Sequence, residues 1–191
     1  NISKHLLKFM KKKIIITGGL GYIGTELCKI YSGLSWHHEI SVIDNRFISE
    51  RVNQLRNWNI NFIHGDILDK DLINSHFKDA DVVHHLAGIT TVPRTKSEAS
   101  ELQDKKIIEV GQIGTQNILN AISEKCKIIF PSTHVVFEGL SDIKKNILEN
   151  EVTKPVLSYS TSKAINEKQL IESGKNYVIL RLGSVLSLIH I

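Results

Sequence analysis

A doubly wound parallel α/β sheet is the fold this chain predicts, and three observations predict it. Short apolar runs alternate with longer amphipathic stretches from Lys13 to Arg181. That is the pattern of parallel strands covered on both faces by helices. A glycine turn, Gly18-Gly19-Leu20-Gly21-Tyr22-Ile23-Gly24, directly follows the first apolar run. Acidic or small residues stand at or just beyond the ends of the next runs, at Asp44, Asp66 and Ala87-Gly88.

The first strand, 13–17, is the β-branched run Ile14-Ile15-Ile16. It feeds the glycine turn, and helix-compatible residues follow over 22–32. Strand, glycine turn, helix is the setting in which such glycines bind a dinucleotide. One glycine permits the tight turn, one lets the backbone approach the pyrophosphate, and one lets helix and strand pack closely. The pyrophosphate then meets the helix N-terminus, where N–H groups and the dipole favour an anion. Gly18, Gly21, Tyr22, Ile23 and Gly24 are therefore candidate cofactor-binding residues. The plainer alternative is a glycine turn with no ligand.

The second strand, 39–44, ends on Asp44, twenty residues after Gly24. An acid there accepts hydrogen bonds from the adenosine ribose hydroxyls and repels a 2′-phosphate, which favours NAD over NADP. Asn45 adjoins it, and Arg46 pulls the other way, since an arginine there meets a 2′-phosphate. Asp44 also reads simply as a turn residue at a strand end. The third strand, 60–63, leads to Asp66 and Ile67. Gly65-Asp66 reads equally as a turn or as an acceptor for the adenine amino group. A helix over 70–76 follows, and the fourth strand, 81–86, closes on Leu86-Ala87-Gly88. Small residues there let a cofactor lie against the strand end, at the switch point where such sheets bind ligands.

The helix expected over 101–123 sets Ile107, Ile108, Ile113, Ile118, Leu119 and Ile122 near one face. Gly111 and Gly114 inside it cost helix propensity, so a close packing contact or a ligand is expected there. The fifth strand, 127–131, runs into Ser132-Thr133, the polar stretch 138–154 reads as a surface loop beside the site, and a helix over 156–173 precedes a sixth strand, 177–181. The β-α order throughout predicts right-handed crossovers and one Rossmann-like sheet.

Tyr159 and Lys163 are four residues apart and so share one helix face. A free tyrosine has a pKa of about 10 and is a poor base at neutral pH. A lysine ammonium beside it, with a positive nicotinamide ring nearby, lowers that pKa. The phenolate then takes a proton from a substrate hydroxyl while hydride leaves for the nicotinamide. Thr133 is placed to hydrogen-bond the same oxygen. Taken alone, such a tyrosine and lysine are a solvated helix face.

Composition excludes several classes. With 191 residues, 41% hydrophobic and 23% charged, the chain is an ordinary globular domain in length and make-up. A net charge of +4 without a basic stripe interleaved with aromatics gives nucleic acid no footprint. No apolar run approaches the roughly 20 residues that span a bilayer. Residues 1–10 carry no apolar core of a signal peptide, so the compartment expected is the cytoplasm. Cys28 and Cys126 form no disulfide framework and read as buried small hydrophobes. The nine histidines include no metal-binding helix pair, so no metal site is expected.

Together, Thr17–Gly24, Asp44, Asp66, His85–Gly88, Ser132-Thr133 and Tyr159 to Lys163 resemble the extended short-chain dehydrogenase/reductase family, in particular its NAD-dependent epimerase/dehydratase group. The resemblance covers nearly all of 12–186, and the family's TGGxGxxG motif is matched at every fixed position. Pro131 to Phe137 looks like the family's SSxxVY stretch, which implies that Thr133 is the catalytic Ser/Thr, Tyr159 the base and Lys163 its activator and a cofactor ligand. Leu180 to Val185 looks like the segment that helps enclose nicotinamide.

The resemblance further implies an epimerase of nucleotide sugars, with transient hydride transfer to bound NAD and a keto intermediate. An NAD(P)H-dependent carbonyl or hydroxysteroid-like reductase is the alternative enzyme, and a non-catalytic cofactor-binding module the alternative of another class. It also implies a homodimer through the helices at 101–123 and 156–173. Two departures stand out: Gly111 replaces the family's NVxGT asparagine, and His134-Val135 replaces the Asp-Glu of the dehydratases, which disfavours a sugar dehydratase. The expected organisation is an N-terminal extension (1–11), a Rossmann-like NAD(P)-binding domain with the catalytic residues (12–186) and a truncated end (187–191). The family's C-terminal substrate domain is then largely absent.

Overall fold

Side chains along a strand point alternately to opposite faces, and the isoleucine run at the start of this chain uses both. In the computed structural model, which describes residues 11–90, 101–141 and 146–184, Ile15 enters one core while Ile14 and Ile16 enter another. These residues form β1 (Lys13–Thr17). It pairs in parallel with β2 (Glu39–Asp44) on one side and β4 (Val82–His85) on the other. With β3 (Asn61–His64), β5 (Lys127–Thr133) and β6 (Asn176–Leu182), the sheet has six strands in the order β3-β2-β1-β4-β5-β6.

The chain winds outward from β1 to β3, then returns to β4 on β1's other side. The carboxyl ends of β1 and β4 therefore flank the switch point of the sheet. One face is covered by α1 (Tyr22–Ser32) and α2 (Ser49–Asn57), whose Cys28, Val52 and Leu55 pack on Ile14, Ile16, Ile40 and Val42. The other face is covered by α3 (Lys70–Phe77), α4 (Glu101–Ala121) and α5 (Ser158–Glu172). Their Ile73, Phe77, Ile118, Leu119 and Leu170 pack on Ile15, Ile43, Val83 and Ile128. Both cysteines are buried and unpaired, as small hydrophobes of these cores.

Three features differ from the sequence expectation. No helix is expected from sequence between β2 and β3, yet α2 is there. Its nine residues bury only Val52 and Leu55, too few to show a helical period. The apolar face of α4 is narrower than expected: Ile113 is exposed and Gly111, Gly114 and Thr115 are buried in the stripe instead. Both glycines are seats for neighbours. A Cβ at Gly111 would run into Ser162 Oγ of α5, and one at Gly114 into the Ile67 side chain. The family's asparagine would not fit this close α4–α5 seam without moving Ser162. Finally, α5 begins at Ser158 rather than at 156, because the N–H groups of Val156 and Leu157 donate to Glu138 Oε1 at 2.8 and 2.7 Å.

The described parts of the expected loop, 138–141 and 146–154, hold no helix or strand; Lys154 joins them by accepting from Gly139 N–H, and its own N–H donates to Val136 O in the turn that follows β5, both at 2.8 Å. Residues 142–145 of that loop lie outside the described residues, as do the expected N-terminal extension (apart from residue 11) and the expected end at 187–191.

Candidate functional site

The glycine turn folds flat against the end of β4. Gly18 takes φ +66°, a region side chains rarely adopt, and a Cβ on it would stand 2.8 Å from the Ala87 backbone. A Cβ on Gly24 would stand 2.6 Å from Gly18 O and Gly19 Cα, so α1 is seated against the turn itself. Gly21 N-caps α1 without a side chain, and the first turn of α1 has no acidic residue. The positive end of its dipole thus faces the cavity uncompensated by a carboxylate.

Asp44 is buried at the end of β2, and four donors fill its carboxylate. Oδ2 accepts from Leu20 N–H and Arg46 Nη2, and Oδ1 accepts from Arg46 N–H and Nε, all at 3.0 Å. The hydrogen bond to Asp44 raises the Arg46 pKa above its ordinary value. Asn45 Nδ2 donates to Asp66 Oδ2 at 2.9 Å, and Asp66 Oδ1 accepts from Leu68 N–H at 2.9 Å. Asp66 therefore does hold a turn, the plainer of its two readings, while also lining the cavity.

A buried relay braces the β1 and β4 ends. Thr17 Oγ1 accepts from Ala87 N–H at 3.0 Å and lies 3.0 Å from His85 Nδ1. On the other side of the ring, His85 Nε2 lies 2.9 Å from Thr115 Oγ1. With Thr17 Oγ1 already accepting, its proton is available to Nδ1, and Nε2–H then donates to Thr115. Burial pushes the His85 pKa down to about 3, and the Lys163 charge pushes the same way, so the ring is neutral.

Thr133 ends β5, and its hydroxyl accepts from Val135 N–H at 3.3 Å. Tyr159 and Lys163 stand one turn apart on α5. Lys163 Nζ donates to Pro131 O at 2.8 Å and lies 4.3 Å from the centre of the Phe130 ring. Its pKa falls to about 8, chiefly through burial, with Glu167 opposing. Burial raises the Tyr159 pKa, and a hydrogen bond with Thr133 opposes that rise.

One cavity of about 760 Å³ brings these groups together. Gly18, Gly21, Tyr22, Ile23 and Gly24 form one wall, and Asp44, Asn45, Asp66 and Ile67 one end. Leu86, Ala87 and Gly88 lie in the middle, with Thr133, Tyr159 and Lys163 at the other end. Every candidate residue read from the sequence thus borders the same space. The lining also includes Ile43, Val110, Ser132, Leu182 and Gly183, and Ser132 Oγ is buried there with no hydrogen-bond partner in the structure. Among the described residues, no three His, Cys, Asp or Glu side chains are grouped to hold a metal, and no helix is long and apolar enough to cross a membrane.

The profile of the NAD dependent epimerase/dehydratase family matches residues 14–188. The chain belongs to that family. Among its curated relatives, it is 36% identical over 130 residues to a UDP-N-acetyl-alpha-D-glucosaminuronate decarboxylase of Bacillus cytotoxicus, covering 67% of this chain and 38% of that one. It is 33% identical over 153 residues to a CDP-paratose 2-epimerase of Salmonella typhi, covering 74% and 42%. The crystal structure of a UDP-glucuronic acid 4-epimerase from Bacillus cereus in complex with NAD superposes with a TM-score of 0.73 at 26% identity, covering 92% of this chain and 57% of that one. The chain thus spans about 40% of the length of these curated relatives. Its six-stranded sheet is the Rossmann-like fold of the family's epimerase structures.

Proposed function

We propose that this chain is the NAD-binding, catalytic portion of an enzyme that epimerises a nucleotide sugar. The observation that carries the reading is one cavity bounded by the glycine turn and Asp44 at one end and by Thr133, Tyr159 and Lys163 at the other. The residues present suit the dinucleotide. Gly18 and Gly24 leave a cradle that a Cβ would fill, and α1 offers the positive end of its dipole without a carboxylate to compete. Gly18, Gly21, Tyr22, Ile23 and Gly24 would hold the pyrophosphate. Asp44 and Asn45 would hold the adenosine ribose, Asp66 and Ile67 the adenine, and Leu86, Ala87, Gly88 and Lys163 the nicotinamide half.

When bound, NAD supplies reversible two-electron oxidation of the carbon bearing the reacting oxygen. The chain's own residues manage the proton. Tyr159 Oη takes it from the sugar hydroxyl and returns it when the carbonyl is reduced again. Thr133 donates a hydrogen bond to the same oxygen, and Lys163 holds positive charge beside the phenolate. Since burial raises the Tyr159 pKa in this structure, the phenolate depends on nearby positive charge, which Lys163 and, when bound, the oxidised cofactor would supply. The curated relatives support a nucleotide-sugar substrate, one acting on a UDP-sugar acid and the other on CDP-paratose. A homodimer through α4 and α5 belongs to the same reading, supported by exposed Leu102, Ile113 and Ile171 on those helices.

The test has two parts. Titration with NADH, followed by nicotinamide fluorescence, is expected to show saturable binding to this chain. In the longer protein that supplies the substrate domain, Tyr159→Phe is expected to keep that affinity within about twofold and lower turnover at least about 100-fold. Net consumption of NAD(P)H during turnover would make the enzyme a reductase instead. Unchanged turnover in the Phe variant would remove Tyr159 from the chemistry.

A further inference from the structure

Few charged groups surround Lys163. Of the elements packed against it, β5 contributes the Phe130 ring and the Pro131 carbonyl, β4 the neutral His85, and α4 buries no charged residue. On its own helix the titratable neighbours are Tyr159, one turn before, and Glu167, one turn after. Two other carboxylates bind α5 at its first turn, Asp104 through Ser158 and Glu138 through Ser160. Glu167 is buried, its side chain 4% exposed, and a carboxylate in that setting stays charged only if it is paired. Arg181 of β6 is the partner. Its Nη2 donates to Oε2 at 2.7 Å, and its Nε is shared between Oε1 at 3.0 Å and Oε2 at 3.3 Å. That is the two-pronged grip of a guanidinium on a carboxylate. Arg181 is itself held from two further sides. Its Nη1 donates to Glu149 O at 3.0 Å, and the guanidinium lies 4.9 Å from the centre of the Phe137 ring.

We propose that Glu167 and Arg181 are positioning residues of the catalytic end: the arginine fixes the carboxylate one turn along α5 from Lys163, and the carboxylate keeps the lysine charged. The inference rests on the role given to Lys163 above and adds what maintains it. An ammonium held against an aromatic ring and away from water loses its proton more readily. Lys163 is drawn down to about 8 in this way, and Glu167 is the influence that opposes the fall. A buried carboxylate without a partner would neutralise itself rather than support the lysine. Forked by Arg181 it keeps its charge, and the same contact raises the Arg181 pKa above its ordinary value. Charges therefore alternate in sign from Lys163 through Glu167 to Arg181, whose neighbours Leu182 and Gly183 line the cavity.

The experiment is a pH titration of the Lys163 side chain by carbon-13 NMR, following its Cε resonance and assigning it from Lys163→Met. In the parent chain the midpoint is expected at about 8. Glu167→Gln is expected to lower it by about one pH unit, the low end of what a neighbouring opposite charge supplies. Arg181→Met is expected to lower it as well, and Arg181→Lys, which keeps the charge without the fork, to lower it less. Glu167→Asp, with its carboxylate on a shorter stem, covers the case of a Gln variant that does not fold. It is expected to shift the midpoint the same way by a smaller amount. A midpoint that is unchanged or raised in these variants overturns the inference, even where urea unfolding finds them less stable. Lost stability alone is what a purely structural ion pair would produce. The titration needs no cofactor, so its failure is separate from that of the functional reading. In the longer protein, the alkaline limb of turnover is expected to move with the midpoint. A limb that stays while the midpoint moves would remove the Lys163 charge from the chemistry and leave intact the hold of Glu167 and Arg181 on that charge.

Discussion

Lys163→Met is expected to stabilise the fold while damaging the site, and the size of the effect follows from where the ammonium sits. Burial against Phe130 and below the Pro131 carbonyl drops its pKa from 10.5 to about 8. Because the folded value lies below the unfolded one, the unfolded chain holds the proton more tightly, and the protonated lysine opposes folding. That opposition is complete below about pH 8 and fades as pH rises toward 10.5. At about 1.36 kcal/mol per unit, it amounts to roughly 3 kcal/mol at pH 7 and about 1 kcal/mol at pH 9.5. Methionine keeps the apolar stem and removes the charge, at the loss of a hydrogen bond to Pro131 O worth about 1 kcal/mol. The net expectation is a variant more stable by about 2 kcal/mol at pH 7, with an advantage that vanishes by pH 9.5. Urea unfolding of both proteins at the two pH values measures it, alongside NADH titration, in which the variant is expected to bind more weakly. A methionine variant less stable at pH 7, or one whose advantage does not change with pH, would refute the argument that the site holds a desolvated charge.

Three other perturbations have defined outcomes. Gly24→Ala forces a Cβ against backbone at 2.6 Å, so a loss of about 1–3 kcal/mol in denaturant unfolding and loss of NADH binding are expected. Glu138→Ala strips the acceptor from Val156 N–H, Leu157 N–H and Ser160 Oγ, and is expected to cost about 1–2 kcal/mol. Amide exchange over 156–160 should quicken, whereas Glu138→Gln, which keeps an acceptor, should restore most of the protection. His85, held neutral with a pKa of about 3 against an ordinary 6.5, makes stability fall as pH drops through that window, by about 2 kcal/mol at pH 5. The loss between pH 7 and pH 5 in urea titrations is expected to be shallower in His85→Gln.

What was legible in the sequence was whatever is encoded within a few residues. The glycine turn, Asp44 at the end of β2, and Tyr159 with Lys163 on one helix face are local patterns, and their residues all meet at the cavity. Helix α2 was not legible because two buried side chains in nine residues make no period. The Thr17–His85–Thr115 relay joins residues 68 and 30 positions apart, which only the strand order brings together. Glu138 capping α5 from across a loop is hidden for the same reason. Arg46 was visible as an ambiguity, but its fork over Asp44 needed three-dimensional geometry. The desolvation that pushes both Tyr159 and Lys163 toward their neutral forms was hidden as well, because sequence spacing says nothing of burial.

Gly114 is outside the lining of the cavity, but a methyl group added there would collide with the side chain of Ile67, which is in it. Asn117, one turn further along α4, donates to Ile67 O at 3.0 Å and Leu68 O at 3.3 Å. The Asp66–Ile67 end of the cavity is thus held by a helix whose Gly114 and Asn117 are outside its lining. This has a consequence for how the protein varies. A change at Gly114 would be transmitted into the pocket wall, so positions 67 and 114 should drift as a pair, gaining bulk at one only when the other loses it. Mutational scans that read cofactor affinity would then register α4 residues that never touch the cofactor, and a library randomising both positions together would recover combinations that neither single library contains.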